Sequence, residues 1–327
     1  PFAKRLMRNV GIPTAPFRLF RNPNQARHFI RRHGIPIVIK AAGLAGGKGV
    51  YVCRTFAEAE YALDELMVKF KYGGAGREVV IEDFIGGQEL SAHAFCDRKG
   101  NISLFPFSQD HKSIFDDDKG PNTGGMGTHA PYVPFRLSAD GISQKVKSEI
   151  IQPALSCLAG LGHPFIGCLY PGLMIMRNGS LVALEFNARL GDPETQCYLR
   201  LLKTDLLDLC LACINGTLDN FLVQWYPGYI VCVIMASEGY PGKAKAGIPI
   251  HGLAEAAQIP GVVLFHAGTR FCEGKVVTSG GRVLGVSAYA DTRREAITNA
   301  YEAISLICFK EGVMQYRTDI GAKALIG

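Results

Sequence analysis

Apolar and polar positions alternate over short stretches near the start of this chain, and helical spacing takes over between them. Phe2, Leu6 and Met7 keep the spacing of a helix that runs into a turn at Gly11-Ile-Pro13-Thr14. From about 16 to 86 the pattern predicts strands and helices in turn. A helix begins near Asn24, two apolar strands flank a glycine-rich loop, the capping box Thr55-x-x-Glu58 opens a second helix, and a strand covers 79–82. A second lobe follows, with strands over 89–95 and 102–107, a long aperiodic loop over 109–134, and a helix from about 140 to 160. Arg177-Asn178-Gly179 joins two apolar stretches, 169–176 and 180–187, and Asn-Gly is the strongest short hairpin signal. The stretch 193–215 reads as helix, broken near Thr204-Asp205 and stopped at Asn215-Gly216. Beyond Trp225 come short strands punctuated by Gly and Pro, then a helix opened by Thr292-x-x-Glu295. The expected division is a linker helix over 1–15, a small α/β lobe over 16–86, a larger lobe over 87–223 and a β-rich domain over 224–327.

The glycine-rich loop carries the first chemical signal. Lys40 ends one strand, and Gly43-Leu-Ala-Gly46-Gly47-Lys48-Gly49 leads into the next, Val-Tyr-Val-Cys53. Glycines let backbone N–H groups approach a polyphosphate, and the lysines supply positive charge, so the loop reads as a phosphate clamp. It is not a Walker-type loop: Gly49 stands where Ser or Thr should follow the lysine, and a strand follows where a helix should start. A flexible hairpin with incidental lysines is the plain alternative.

Alternation along 181–189 places Val182, Leu184 and Phe186 on one face and Ala183, Glu185 and Asn187 on the other. A carboxylate and an amide oxygen side by side suit Mg²⁺, which takes one or two protein oxygens and fills its shell with phosphate and water. Arg189 follows, then Asp192 and Pro193, which read as an N-cap and a first helical residue. Between Ser108-Gln-Asp-His-Lys112 and Gly120-Pro-Asn-Thr-Gly124-Gly125-Met-Gly127 the chain has many donors and embedded apolar residues, which favours a ligand loop over disorder. Glu82-Asp-Phe-Ile-Gly-Gly-Gln-Glu89 joins the lobes and can offer backbone groups to a base and a carboxylate to ribose hydroxyls.

Bulk composition narrows the classes. With 327 residues, 48% hydrophobic and 20% charged, the chain is an ordinary globular protein of two or three domains. The net charge of +6 suits anionic ligands, but the basic residues are scattered, so no nucleic acid is expected. Ten cysteines lie in apolar stretches, and Cys210-x-x-Cys213 has no second pair to complete a zinc site, so we expect reduced thiols and a cytoplasmic protein. No apolar run reaches the roughly 18 residues of a membrane span. The first residue is Pro, which raises the expectation of a fragment.

Together, Ile39-Lys40, Gly46-Gly47-Lys48-Gly49, Glu82 to Glu89, Ser108 to Lys112, Gly120 to Gly127, Glu185-Phe-Asn187 and Arg189-Leu-Gly-Asp-Pro-Glu194 resemble the glycinamide ribonucleotide synthetase family of the ATP-grasp superfamily. The resemblance continues through Gly239-Tyr-Pro-Gly242, Phe265-His-Ala-Gly-Thr269, Gly280-Gly-Arg-Val-Leu284 and Tyr316-Arg-Thr-Asp-Ile-Gly321. It implies an α/β, two-lobed ATP-grasp fold followed by a small β-rich domain, and an N-terminal domain that this chain does not include. It also implies an ATP-dependent ligase joining glycine to 5-phosphoribosylamine. ATP would lie between the lobes, with Lys40, Lys48, Lys112 and the turn Gly46, Gly47, Gly49 at its phosphates, Glu82, Phe84 and Ile85 at the base, and Glu89 at the ribose. Glu185 and Asn187 would hold Mg²⁺ (or Mn²⁺). Arg189, Asp192 and Lys112 would serve catalysis. Asn122, Thr123, Gly124, Gly125, Met126, Asp192, Pro193 and Glu194 would bind substrate. Another ATP-grasp ligase or carboxylase, or a non-catalytic fragment that binds MgATP, stays open at this point.

Overall fold

The computed structural model of the chain describes residues 1–46, 48–134, 138–309 and 312–325. In the small lobe four antiparallel strands stand in the order Phe17–Phe20, Val79–Asp83, Ile37–Ala41, Val50–Cys53. Ile37 and Ile39 enter a core shared with Ala26, Ile30, Ala59 and Leu63 of the two helices laid on that face. The period of two therefore turns Val38 and Lys40 toward the other lobe. Asn22 caps helix Pro23–His33 through the Asn24 N–H at 2.9 Å. Thr55 and Glu58 make the reciprocal box of helix Phe56–Leu63, with bonds of 3.2 and 2.9 Å.

The larger lobe is built on strand Gly167–Ile175, which pairs with Leu181–Asn187 across the expected Asn-Gly turn. Gly179 has φ of 77°, the value that position demands. The single strand expected over 89–95 is two, Gln88–Ser91 and Ala94–Cys96, both paired to Gly167–Ile175. The helix expected over 140–160 runs as Ala139–Lys145 and Gln152–Gly160 with a π-type turn, Val146–Ile151, between them. Pro153 has no N–H and its ring crowds the carbonyl four residues back, so the wider turn stands where an α-helix would be strained.

The helix Phe2–Asn9 does more than link. Leu6 and Met7 lie in the larger lobe's core with Leu90, Leu169 and Leu181, and Pro13 accepts a backbone bond from Ala183 at 2.8 Å. Residues 1–15 are thus packed against the larger lobe, because an amphipathic helix buries its apolar face wherever a matching surface exists.

The loop over 109–134 is not aperiodic in space. It contains four short strands, Gln109–Asp110, Ser113–Phe115, Lys119–Asn122 and Gly127–Ala130. Gly127–Ala130 pairs with Tyr229–Ser237, so the expected larger lobe and β-rich domain share one sheet, ordered Val262–His266, Arg282–Ala290, Tyr229–Ser237, Gly127–Ala130, Gln109–Asp110. Tyr229–Ser237 is buried on both faces. Ile230, Cys232 and Ile234 pack with Cys197, Tyr198 and Leu201 of helix Glu194–Leu201, whereas Val231, Val233 and Met235 pack with Ala296, Ala300 and Ile304 of helix Arg293–Leu306. That explains its unbroken apolar sequence.

Candidate functional site

Between the lobes lies a cleft of about 480 Å³, lined from every part of the chain. Lys40 reaches it from the outward face of its strand, with Nζ 2.9 Å from a Glu82 carboxylate oxygen and 3.3 Å from the Leu184 carbonyl. Glu82 is buried and also pairs with Lys4 at 3.1 Å. Its carboxylate is therefore committed to two lysines, and Phe84 and Ile85 form the neighbouring apolar wall. Burial lowers the pKa of the Lys4 ammonium, an effect Glu82 opposes.

Lys112 enters from the opposite side. Its Nζ stands 3.9 Å from Glu89 and 4.0 Å from Glu185, carboxylates on two other strands. Burial disfavours the charged ammonium, yet Glu89, Glu185, Asp110 and Glu194 hold its pKa above the ordinary lysine value. The same encounter works on Glu185, where burial would raise the pKa but Lys112 and Lys40 bring it below the usual carboxylate range. Asp110 is pushed well above that range by burial and by Glu194.

A β-bulge aims the oxygen ligands. Glu185 pairs with Gly172 and Ala183 with Leu173, so Leu184 is the extra residue. Strict alternation would put Ala183 beside Glu185 and Asn187. Instead Leu181, Ala183 and Phe186 face the core, while Leu184, Glu185 and Asn187 line the cleft. Asn187 and Glu185 touch at 3.2 Å, and the exposed Arg189 donates to Asn187 at 3.3 Å and to the Leu190 carbonyl at 3.0 Å.

Asp192 does not cap the following helix. Pro193 occupies the N-cap position of Glu194–Leu201, and the Asp192 carboxylate instead accepts from Arg282 and from Gln196, each at 2.8 Å. An arginine ninety residues away thus takes, as an ion pair, the carboxylate that local capping would use. Glu194 is buried and accepts from Tyr170 at 2.6 Å and Ser91 at 3.1 Å. His93 stacks on Tyr170 and accepts from the Gly191 N–H at 3.0 Å; burial pushes its pKa down to about 3.

Asn122, Thr123 and Gly124 line the cleft. Thr123 donates to the Lys112 carbonyl, and the Gly124 carbonyl accepts from Arg282 at 3.0 Å. A Cβ on Gly125 would stand 2.6 Å from Pro193 Cδ and 2.8 Å from Asp110 Oδ1, so this close approach requires glycine. Met126 faces away from the cleft: it is fully buried with Phe95, Cys197 and Ile234, anchoring the loop by its apolar side chain instead of meeting substrate. Of the clamp turn, Gly46 lines the cleft, Gly47 lies outside the described residues, and Gly49 is buried in the hairpin, where its carbonyl accepts from the Ala41 N–H. Lys48 lines an adjoining groove of about 940 Å³, with Nζ 5.6 Å from the Tyr240 ring.

Lys4, Ser91, His93, Tyr170 and Arg282 belong to the site or brace it, and no reading of the sequence singled them out as such; Asp110 lay unremarked inside the Ser108–Lys112 motif. Arg282 sat in a visible motif, Gly280-Gly-Arg-Val-Leu284, but only the shared sheet brings it to Asp192.

The donor set fits a hard divalent cation. Glu185 and Asn187 stand side by side on the cleft wall, each with an oxygen to offer, and among the described residues no group of three or more His, Cys, Asp and Glu side chains could enclose a metal. Phosphate and water would complete such a shell. Among the described residues no helix is long and apolar enough to cross a membrane.

The chain is similar in sequence and fold to known proteins. Residues 1–195 match the family described as phosphoribosylglycinamide synthetase, ATP-grasp (A) domain, and residues 230–323 match phosphoribosylglycinamide synthetase, C domain. The chain is 44% identical to phosphoribosylamine–glycine ligase of Synechocystis sp. over 99% of its own length and 75% of that protein's. It is 45% identical to the enzyme of the same name from Neisseria meningitidis serogroup B, with the same coverage. Its fold superposes on the crystal structure of phosphoribosylamine–glycine ligase from Thermotoga maritima with a TM-score of 0.83 and 35% identity, covering 98% of this chain and 77% of that one.

Proposed function

This chain belongs to the phosphoribosylglycinamide synthetase family, and from that membership we propose how its cleft carries out the family's reaction. The chain is an ATP-dependent carbon–nitrogen ligase of purine biosynthesis, making glycinamide ribonucleotide. Its small-molecule substrates are glycine and 5-phosphoribosylamine, used with ATP.

ATP lies in the cleft with its base against Phe84 and Ile85, its ribose hydroxyls at Glu89 and its phosphates toward Lys40, Lys112 and the turn at Gly46. Glu185 and Asn187 would hold Mg²⁺ (or Mn²⁺), which when bound neutralises phosphate charge as a Lewis acid. A glycine carboxylate oxygen attacks the γ-phosphorus, the bond to the β,γ-bridging oxygen breaks, and ADP leaves behind glycyl phosphate. Two anions meet in that step. Lys40 and Lys112 offset their repulsion and the charge that develops on the transferred group. The amine nitrogen of phosphoribosylamine then attacks the acyl carbon, phosphate departs, and the nitrogen gives up a proton. Arg189, exposed beside Asn187, suits the phosphate of phosphoribosylamine by its guanidinium fork. Asn122, Thr123, Gly124, Gly125, Asp192, Pro193 and Glu194 wall the place where the substrates meet, and water is kept from the acyl phosphate there.

The observation that carries this reading is the convergence of Lys112 with Glu89 and Glu185 at about 4 Å, from three separate strands or loops. The test is ADP release by the complete polypeptide that carries this chain. Turnover should require both glycine and phosphoribosylamine. Turnover that depends on bicarbonate and ignores glycine would overturn the assignment in favour of a carboxylase.

A further inference from the structure

The motif Tyr316-Arg-Thr-Asp-Ile-Gly321 has no part in the chemistry above, yet it holds the segment that delivers Lys112. Arg317 is 0% exposed, an unusual place for a guanidinium. It donates to Asp319 through two nitrogens at 2.7 and 2.6 Å, to Asp118 at 3.0 Å and to the Ser113 carbonyl at 3.3 Å. Ser113 follows Lys112 directly. The Lys112 carbonyl is in turn held by Thr123 across the hairpin, through its N–H and its hydroxyl, both at 2.8 Å.

Three further ties run between the same two segments. Asp116 accepts from the Thr318 N–H at 2.8 Å and from the Thr318 hydroxyl, the Asp117 N–H donates to Asp319 at 3.1 Å, and Lys323 pairs with Asp118. The turn they grip is strained. Asp117 and Asp118 have φ of 57° and 55°, two successive residues with a Cβ in the left-handed region. Such a turn persists only where its surroundings hold it, and here the surroundings are Arg317, Thr318, Asp319 and Lys323. The clasp is itself anchored, because Tyr301 of helix Arg293–Leu306 donates to the Arg317 carbonyl at 2.9 Å and accepts from the Ile320 N–H at 3.0 Å.

We propose that Arg317 is a positioning residue for Lys112: by locking the hairpin that runs from Ser113 to Asn122, it sets the ammonium in place for the phosphates of ATP. The proposal rests on the reading of Lys112 as a phosphate ligand. It makes triphosphate recognition, and not base recognition, depend on a residue two hundred positions away.

Calorimetric titration of the full chain with ATP and with AMP, in Mg²⁺ and without the other substrates, separates the two. AMP keeps the base, ribose and one phosphate but lacks the β- and γ-phosphates. Arg317→Lys should weaken ATP about tenfold and AMP less than about twofold, and Arg317→Lys added to Lys112→Ala should weaken ATP no further than Lys112→Ala alone. Equal weakening of ATP and AMP by Arg317→Lys, or none, overturns the positioning role. If Lys112→Ala itself leaves ATP affinity unchanged, the reading of Lys112 fails, and the positioning proposal falls with it at that identifiable step. Should Arg317→Lys lose its cooperative thermal transition, Asp118→Asn, on the solvent side of the clasp, takes its place. The expected result is the same preference for weakening ATP, about threefold, and an unchanged ATP affinity overturns the proposal.

Discussion

The two lysines that face each other across the cleft reach it by opposite routes. Lys40 sits on a five-residue strand whose neighbours pair on both sides, Val50 at one edge and Val80 at the other. One of those partners is only ten residues away, and the core beneath is built from adjacent helices. Lys112 follows a two-residue strand and depends on Thr123, Arg317 and the pairing of Gly127–Ala130 with Tyr229–Ser237. The first route is a local code. The second closes loops of about a hundred and two hundred residues, and its contacts must offset that chain entropy before Lys112 is held at all. A clamp hairpin can therefore be recognised from its own residues, whereas the opposing loop acquires its shape from partners elsewhere.

Removing the group that both lysines serve gives the largest effect. Glu185→Ala should lower turnover by about a thousandfold or more, equivalent to about 4 kcal/mol of transition-state stabilisation, with the unfolding transition little changed. Steady-state rates at saturating Mg²⁺ check this, and wild-type turnover there would remove Glu185 from the metal site.

Glycine substitutions then test the two supports directly. Gly125→Ala drives a Cβ into Pro193 and Asp110 at a φ of 116°, so it should cost about 2–4 kcal/mol, read as a shift of the urea midpoint. A shift as small as that of the clamp turn would show that the loop is not tightly built.

Acid should loosen the loop before the hairpin. Burial, followed by the charge of Arg317, lowers His111 to about 4, and burial with His111 nearby takes His129 well below its ordinary value. A histidine whose pKa in the folded chain lies below the unfolded value of about 6.5 stabilises the fold above that pH, and the contribution is lost as pH falls toward the folded pKa. Protection factors of the amides at 109–130, taken relative to intrinsic exchange at each pH, should therefore fall between about pH 6.5 and 4, in a window where strands Ile37–Ala41 and Val50–Cys53, which contain no histidine, keep theirs. Simultaneous loss of protection in both segments would contradict the comparison.

The smallest effect belongs to the clamp turn. Gly46 has φ of 59°, and an added Cβ there meets nothing within 4 Å, so Gly46→Ala should cost only about 1 kcal/mol, the strain of a left-handed alanine. Differential scanning calorimetry resolves a shift of that size, and a loss of several degrees would reveal contacts the open turn does not show.

Most elements of the small lobe were legible because their causes are short-range. The Thr55 capping box and the alternation that turns Lys40 outward depend on residues within one or two turns of each other, as does the Asn-Gly turn at 178–179 in the larger lobe. Glu185, Asn187, Glu89 and Lys112, singled out by residue type and setting, all line the cleft.

Tertiary structure alone decided the rest. The bulge at Leu184 keeps Glu185 and Asn187 on the cleft while sending Ala183 to the core, and strand register is a property of two paired strands, not of one. Asp192 had the sequence of a cap and became a partner of Arg282; Met126 had the setting of a ligand loop and became its anchor. Pairing across the expected boundary near 224 follows the same rule: Gly127–Ala130 joins Gln109–Asp110 to a sheet whose remaining strands begin a hundred residues later. Side-chain type and local spacing determine what a segment can do, but which of several compatible partners it takes is set by the free energy of the whole packed arrangement, and no window along the chain contains that.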